Sequence, residues 1–120
     1  MANSMKYTTS TTKEDEMEAE NITGAFDFPV ALNQLKQGKK VARKGWNGKG
    51  MYIYLVTGSV VFRDDLRNEA DYHYPKSGNG GTEEVVINSH IDMKAADGSI
   101  VVGWLASQTD MLAEDWLILE

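Results

Sequence analysis

The chain has 120 residues, no cysteine and a formal charge of −6. This length suits one domain that can bury a core of its own, and the lack of cysteine excludes a disulfide framework and a thiolate metal site. No apolar stretch approaches the roughly 20 residues of a membrane span, and the N-terminus lacks the apolar core of a signal peptide. We therefore expect a soluble, untargeted protein with no membrane partner.

The first 25 residues are rich in Thr, Ser and Glu and contain two lysines against five acids. Such a segment has too few apolar side chains to offset the entropy lost on ordering. The sequence therefore predicts a disordered acidic leader over residues 1–25, followed by a single ligand-binding domain over residues 26–120.

The domain opens with a helical pattern of about ten residues, started by Asp27 and Pro29 and ended by Gly38. Its apolar stripe consists of Phe28, Ala31, Leu32 and Leu35. A hairpin is predicted next, because Val41 begins one strand, a glycine-rich turn follows over residues 45–50, and the apolar residues alternate over 51–56.

The segment 57–84 lacks a clear pattern and is predicted to be a long loop with one irregular strand at most. A second hairpin, residues 91–104, turns at Asp97-Gly98. Ser107 as a helix N-cap then predicts a short helix over 108–114, before a last strand over 115–119. The fold class is α+β, with a small antiparallel sheet made of two hairpins plus a C-terminal strand, an N-terminal helix and a short second helix.

The glycine-rich turn is the best candidate for ligand binding. Its glycines have no side chains to cover Trp46, and an exposed indole can stack on a nucleobase. Arg43 and Lys49 would place positive charge beside backbone N-H groups that approach an anion. If Trp46 is exposed in this way, Trp46→Ala should weaken binding and leave the melting temperature nearly unchanged. The alternative is that Trp46 packs on the sheet as core, which is also the default for Trp104 and Trp116.

Catalytic candidates are few. The sequence has no nucleophile elbow, no Walker loop and no paired metal-ligand motif. Asp110, Glu114 and Asp115 could serve as acid and base or hold a divalent ion, or could only cap and solvate the short helix. His90 and Asp92 share a strand face, and a structural pair is favoured there over a metal site. We predict no enzymatic activity, no cofactor, no metal site and no DNA or RNA partner, since an acidic protein with a local basic cluster suits a small anion better.

Four stretches of the sequence resemble a family of small phage and prophage proteins, the second type of Thoeris anti-defence protein. The similarity covers roughly residues 28–57 and 88–120, and it rests on Phe28 to Leu35, Gly38 to Met51, His90 to Lys94 and Trp104 to Trp116. The resemblance implies a non-cleaving sponge, commonly a homotetramer. Such a sponge holds a cyclic ADP-ribose signal made by bacterial TIR enzymes and, in some members, cyclic dinucleotides at a separate site.

The resemblance also implies which residues contact the ligand and where the protein acts. Trp46 would stack on adenine and Arg43 would face phosphate, and the remaining contacts would come from Asn47, Trp104, Ser107, Gln108 and Asp110. The location implied is the cytoplasm of the infected or lysogenic bacterial host. Two alternatives stay open: a metal-dependent phosphodiesterase that uses Asp92, Asp110 and Asp115, and a phage module that binds protein through Trp46 and the Tyr72 to Tyr74 cluster.

Overall fold

Among the described residues, regular structure is present from Ile22, which is earlier in the chain than the predicted start at Phe26. In the computed structural model, which describes residues 22–76 and 78–119, strand β1 (Ile22–Phe26) pairs antiparallel with the C-terminal strand β8 (Trp116–Leu119). Residues 22–25, which were assigned to the leader, therefore belong to the sheet. The rest of the predicted leader, residues 1–21, lies outside the described residues.

The described residues form two compact units, and the single domain over residues 26–120 stays a prediction. The first unit consists of residues 22–55 and 91–119, and the second of Val56–His90. None of the helices in the described parts of the chain is long and apolar enough to cross a membrane.

The first unit is built on a six-stranded sheet, which confirms the predicted α+β class. The strand order is β1-β8-β2-β3-β6-β7. The elements between β1 and β8 in this unit are α1 (Phe28–Lys36), β2 (Lys40–Arg43), β3 (Tyr52–Val56), β6 (His90–Lys94), β7 (Ile100–Val101) and α3 (Gln108–Leu112). The strand β7 is shorter than the predicted return strand, which was expected to continue to Trp104.

The predicted N-terminal helix is confirmed. The Asp27 side chain accepts a hydrogen bond from the backbone N-H of Val30, and Pro29 lies in the first turn, where its missing N-H costs nothing. The helix buries Leu35 against one face of the sheet, where Val41 on β2 lies opposite Ile53 on β3. All three of these side chains are fully buried, so this face holds the core of the first unit.

The second unit corrects the prediction of a long loop over 57–84. It contains β4 (Ser59–Phe62), a 3-10 turn (Arg63–Asp65), α2 (Asn68–His73) and β5 (Glu84–Ile87), and β4 pairs antiparallel with β5. The strands escaped prediction because their residues are apolar on both faces and so show no alternation.

A buried arginine lies at the centre of the second unit. Arg63 is fully buried, and its guanidinium donates to the Asp71 carboxylate at 2.9 Å and to the carbonyl oxygens of Asp71, Tyr74 and Pro75. The hydrogen bond from Arg63 lowers the pKa of Asp71. A buried charge is tolerated only when it is paired and hydrogen-bonded, and these four acceptors meet that requirement.

Candidate ligand-binding site

Two of the stretches that carry the family resemblance meet at one carboxylate. They are Gly38 to Met51, which we call the first motif, and Trp104 to Trp116, which we call the second or C-terminal motif. Asp110 Oδ1, from the C-terminal motif, accepts a hydrogen bond from Arg43 Nη1 at 3.0 Å and another from Trp46 Nε1 at 3.2 Å. Arg43 ends β2, and Trp46 lies in the glycine-rich turn that follows it. Residues more than 60 positions apart in sequence are thereby joined at one place.

The guanidinium of Arg43 is shared with a second acid. Arg43 Nε donates to Asp115 Oδ1 at 2.9 Å, and Asp115 Oδ2 accepts from the backbone N-H of Gly45 at 2.8 Å. A Cβ atom at position 45 would lie 2.8 Å from Asp115 Oδ2, so this ion pair leaves no room for a side chain there. All three guanidinium nitrogens of Arg43 therefore contact carboxylates, and contact of Arg43 with a phosphate stays a prediction.

Ser107 and Asp110 form the predicted capping box of α3. Ser107 Oγ accepts from the backbone N-H of Asp110 at 3.0 Å, and Asp110 Oδ2 accepts from the backbone N-H of Ser107 at 3.1 Å. Each side chain thus satisfies an N-H group at the helix start. Asp110 therefore caps α3 with one oxygen and binds the first motif with the other.

The three tryptophans form one aromatic cluster. The ring centroid of Trp46 lies 5.5 Å from that of Trp116 and 6.3 Å from that of Trp104, in edge-to-face orientations. Trp116 is fully buried, and its Nε1 donates to the carbonyl oxygen of Asp110. Trp46 and Trp104 are half-buried and pack against the core of the first unit. The geometry favours the alternative in which Trp46 contributes to the core and leaves only part of its ring exposed.

Two of the predicted ligand residues have exposed side chains that are not engaged elsewhere. Asn47 and Gln108 make no side-chain hydrogen bond within residues 22–76 and 78–119. Lys44 and Lys49 are also exposed in the same turn region. These four side chains can contact a ligand without breaking an existing interaction, whereas Arg43, Ser107 and Asp110 already hydrogen-bond within the network.

The sequence analysis did not include Asp115 and Trp116 among the ligand-site residues, although both belong to the same network. A signal for Asp115 exists in the sequence. The first motif contains a single arginine, and the second motif contains three acids, Asp110, Glu114 and Asp115, and no basic residue. A half-buried arginine needs carboxylate partners, so the pairing of Asp110 and Asp115 with Arg43 could have been predicted from the sequence.

The acids of this network titrate below their usual range. Burial works to raise the pKa of Asp110, but the hydrogen bonds from Ser107, Arg43 and Trp46 outweigh it and lower the pKa. The hydrogen bond from Arg43 lowers the pKa of Asp115, and Asp115 in turn raises the pKa of Arg43.

We expect these shifts to make the protein less stable in acid. A carboxylate with a lowered pKa in the folded state stabilises that state at neutral pH, and this contribution is lost as the pH falls below about 5 and through the folded-state pKa. The free energy of unfolding in urea should therefore decrease between pH 7 and pH 3. The decrease should be smaller in Asp110→Asn, because this variant has one titrating carboxylate fewer. An equal decrease in both proteins would contradict this assignment.

The network offers little to a metal-dependent phosphodiesterase. Asp110 and Asp115 are both paired with Arg43, and Asp92, which is buried, accepts a hydrogen bond from the backbone N-H of Gly103. Within the parts of the chain that the structure describes, no three His, Asp or Glu side chains are grouped closely enough to hold a metal ion. A metal bound by these acids would first have to displace Arg43.

Comparison with known proteins supports the resemblance seen in the sequence. A family model described as Tad2-like, the Thoeris anti-defense 2-like domain, matches residues 26–119. A protein of Bacillus phage SP01 named Thoeris anti-defense 2 is 40% identical over 94 residues, which cover 78% of this chain and 94% of the phage protein. The range of the family match, residues 26–119, includes the two motifs that meet at Asp110. On this basis the chain belongs to the Thoeris anti-defense 2-like family, whose membership supports a phage function against Thoeris defence.

Proposed function

We propose that the protein is a sponge that binds a cyclic ADP-ribose-type signalling nucleotide, made by bacterial TIR enzymes, and holds it without cleaving it. Sequestration in the host cytoplasm would keep the signal from the defence effector. Cyclic dinucleotides are proposed as further ligands. The observation that carries the proposal is the convergence of the two family motifs at Asp110, in a chain that matches an anti-Thoeris family over residues 26–119.

The arrangement divides the motif residues into two groups. Arg43, Ser107 and Asp110 hold the two motif segments together, and the partly exposed ring of Trp46 is fixed by Asp110. We assign direct ligand contact to Asn47 and Gln108, with the exposed edges of Trp46 and Trp104 beside the base. Lys44 and Lys49 supply positive charge for the phosphates. A rigid support of this kind lowers the entropy lost when a ligand binds.

We further propose that the protein acts as a homotetramer with the ligand held between subunits. The segment from Ile100 to Leu112 overlaps the second motif and exposes several large apolar side chains: Ile100 56%, Val101 48%, Val102 71%, Leu105 88%, Met111 44% and Leu112 77%. Exposed apolar residues grouped in one segment are typical of surfaces that bind another protein. Sedimentation should give a mass about four times the 13.3 kDa of one chain.

The proposal is tested by recovery of the ligand. The purified full chain is incubated with cyclic ADP-ribose isomers and cyclic dinucleotides, washed and then heated, and the released molecules are identified by mass. We expect one cyclic ADP-ribose isomer to be retained at sub-micromolar affinity and released with its mass unchanged. A linearised product would contradict the sponge and favour a phosphodiesterase, and retention of no nucleotide would favour a protein-binding module.

We expect Asn47→Ala and Gln108→Ala to weaken nucleotide binding about tenfold each, because each removes about one hydrogen bond's worth of stabilisation. Both side chains are exposed, so the free energy of unfolding should change by less than about 0.5 kcal/mol. Calorimetric titration and urea unfolding measure the two effects. Asn33→Ala, which replaces an exposed residue of α1, is the matched control and should leave affinity unchanged. Normal affinity in both site variants would remove Asn47 and Gln108 from the site.

A further inference from the structure

The sheet of the first unit has a second face, which neither of its two helices covers. Side chains alternate between the two faces of a strand, so Lys40 and Tyr52 point away from the core face that Val41 and Ile53 define. The same parity applies to Leu117 on β8, because Val41 lies opposite Ile118. We call this surface the second face, and its half-buried members are Lys40, Tyr52, Tyr54, Lys94, Leu117 and Leu119.

The second face carries two lysines, Lys40 and Lys94, and Asp92, two residues before Lys94 on the same strand, is an acid on this face. Lys94 Nζ donates a hydrogen bond to the carbonyl oxygen of Gly50 at 3.2 Å. Lys40 Nζ lies 4.7 Å from the centroid of the Tyr52 ring, and Lys94 Nζ lies 5.8 Å from the same centroid. Neither ammonium group forms a salt bridge within residues 22–76 and 78–119. Asp92, which shares a strand with Lys94, is buried and accepts a hydrogen bond from Gly103. The face therefore suits a negatively charged segment with some apolar side chains.

Such a segment precedes β1 in this chain. Residues 14–20 have the sequence EDEMEAE, with five acids and no basic residue. Strand β1 begins at Ile22 and is the edge strand of the sheet. Lys40 is on the strand two places from β1, and Lys94 is on the strand four places from it. At about 4.8 Å per strand these distances are about 10 Å and 19 Å.

The segment of residues 14–20 is long enough to cross the second face. Seven extended residues span about 23 Å, so a segment that leaves the β1 edge at Ile22 can cross both lysines. We propose that residues 14–20 bind across the second face of their own subunit, with their carboxylates beside Lys40 and Lys94 and with Met17 beside Tyr52 and Leu117. The segment would cover this face in each subunit and leave the candidate ligand site, which lies with the core face, accessible. This inference does not depend on which ligand the protein binds.

Carbodiimide cross-linking of the full chain tests the proposal, because this reagent joins a carboxylate directly to an amine in contact with it. We expect peptides in which residues 14–20 are linked to Lys40 or Lys94. Lys36, which is exposed on α1 on the opposite side of the sheet, is the internal control and should give at least fivefold less product. Raising NaCl from 0.1 M to 1 M shortens the screening length from about 10 Å to 3 Å and should reduce the yield severalfold.

Isotope mixing identifies the chain that supplies the segment. The 14N and 15N proteins are mixed under conditions that exchange subunits and are then cross-linked, and products within one chain carry a single isotope. Products that carry both isotopes would show that the segment binds a second copy, and equal linkage to Lys36 would show nonspecific contact. Either result would overturn the proposal. In Lys40→Gln the cross-link between residues 14–20 and Lys94 should persist. Its presence would show that the variant is folded.

Discussion

Replacing Arg43 with methionine is expected to lower the free energy of unfolding by about 3 kcal/mol. The Arg43 and Asp110 side chains are only 14% and 12% exposed, and removal of one partner leaves the other charge poorly solvated. The variant also leaves Asp115 without its guanidinium partner. Urea unfolding at pH 7, followed by circular dichroism, measures the change.

The control for this variant is Lys44→Met, which removes a neighbouring exposed cation and should change the free energy of unfolding by less than about 0.5 kcal/mol. Arg43→Lys should restore only part of the stability, because an ammonium group cannot bind two carboxylates with the planar geometry of a guanidinium. If Arg43→Met were as stable as the unchanged protein, the ion pair would contribute nothing. The two motifs would then be joined by their remaining contacts, which include the hydrogen bonds from Trp46 to Asp110 and from the backbone N-H of Gly45 to Asp115.

Trp46→Ala is expected to lower the free energy of unfolding by about 2 kcal/mol. The variant loses packing against Trp116 and Trp104 and the hydrogen bond to Asp110. Complete burial of such a ring would raise the cost to about 3–5 kcal/mol, and partial exposure lowers it. This expectation replaces the prediction from sequence that the melting temperature would hardly change.

A second substitution at this position separates the contribution of the ring from that of the indole N-H. Trp46→Phe keeps an aromatic ring in the cluster but removes the indole N-H, so it should lose about 1 kcal/mol of stability. Tyr72→Ala is the matched control, because Tyr72 is 82% exposed and its loss should leave stability within about 0.5 kcal/mol. If Trp46→Ala and Tyr72→Ala had the same free energy of unfolding, the packing of Trp46 would contribute no stability. That result would support the interpretation of Trp46 as an exposed stacking ring.

Sequence patterns predicted the local parts of the fold well. The helix α1 followed from the spacing of its apolar residues and from Asp27, and α3 followed from the Ser107 cap. These signals lie within a few residues of the structure that they specify. The strands β4 and β5 were missed because the residues that pair between them lie more than twenty positions apart in sequence. In addition, successive residues of each strand are apolar, as in Val60 and Val61 or Val85 and Val86, so both faces of the strand are apolar and no alternation is visible.

The motifs indicated the candidate site, but the contacts that its residues make depend on parts of the chain that are far away in sequence. The direction in which the Trp46 ring turns depends on Trp104 and Trp116, which lie more than fifty residues away in sequence. Likewise, the carboxylates that pair with Arg43, those of Asp110 and Asp115, lie 67 and 72 residues away in sequence. Asn47 and Gln108 were placed in the site by resemblance, and the structure adds that their side chains are exposed.

We expect the buried Arg63 to give the second unit a different dependence of stability on temperature from the first. The first unit is held by a core of apolar side chains, whose exposure to water raises the heat capacity, whereas Arg63 binds one carboxylate and three carbonyl oxygens, whose exposure lowers it. Cooling weakens apolar burial and affects polar contacts less. The two units should therefore differ in the curvature of stability with temperature, and a single midpoint would average two processes.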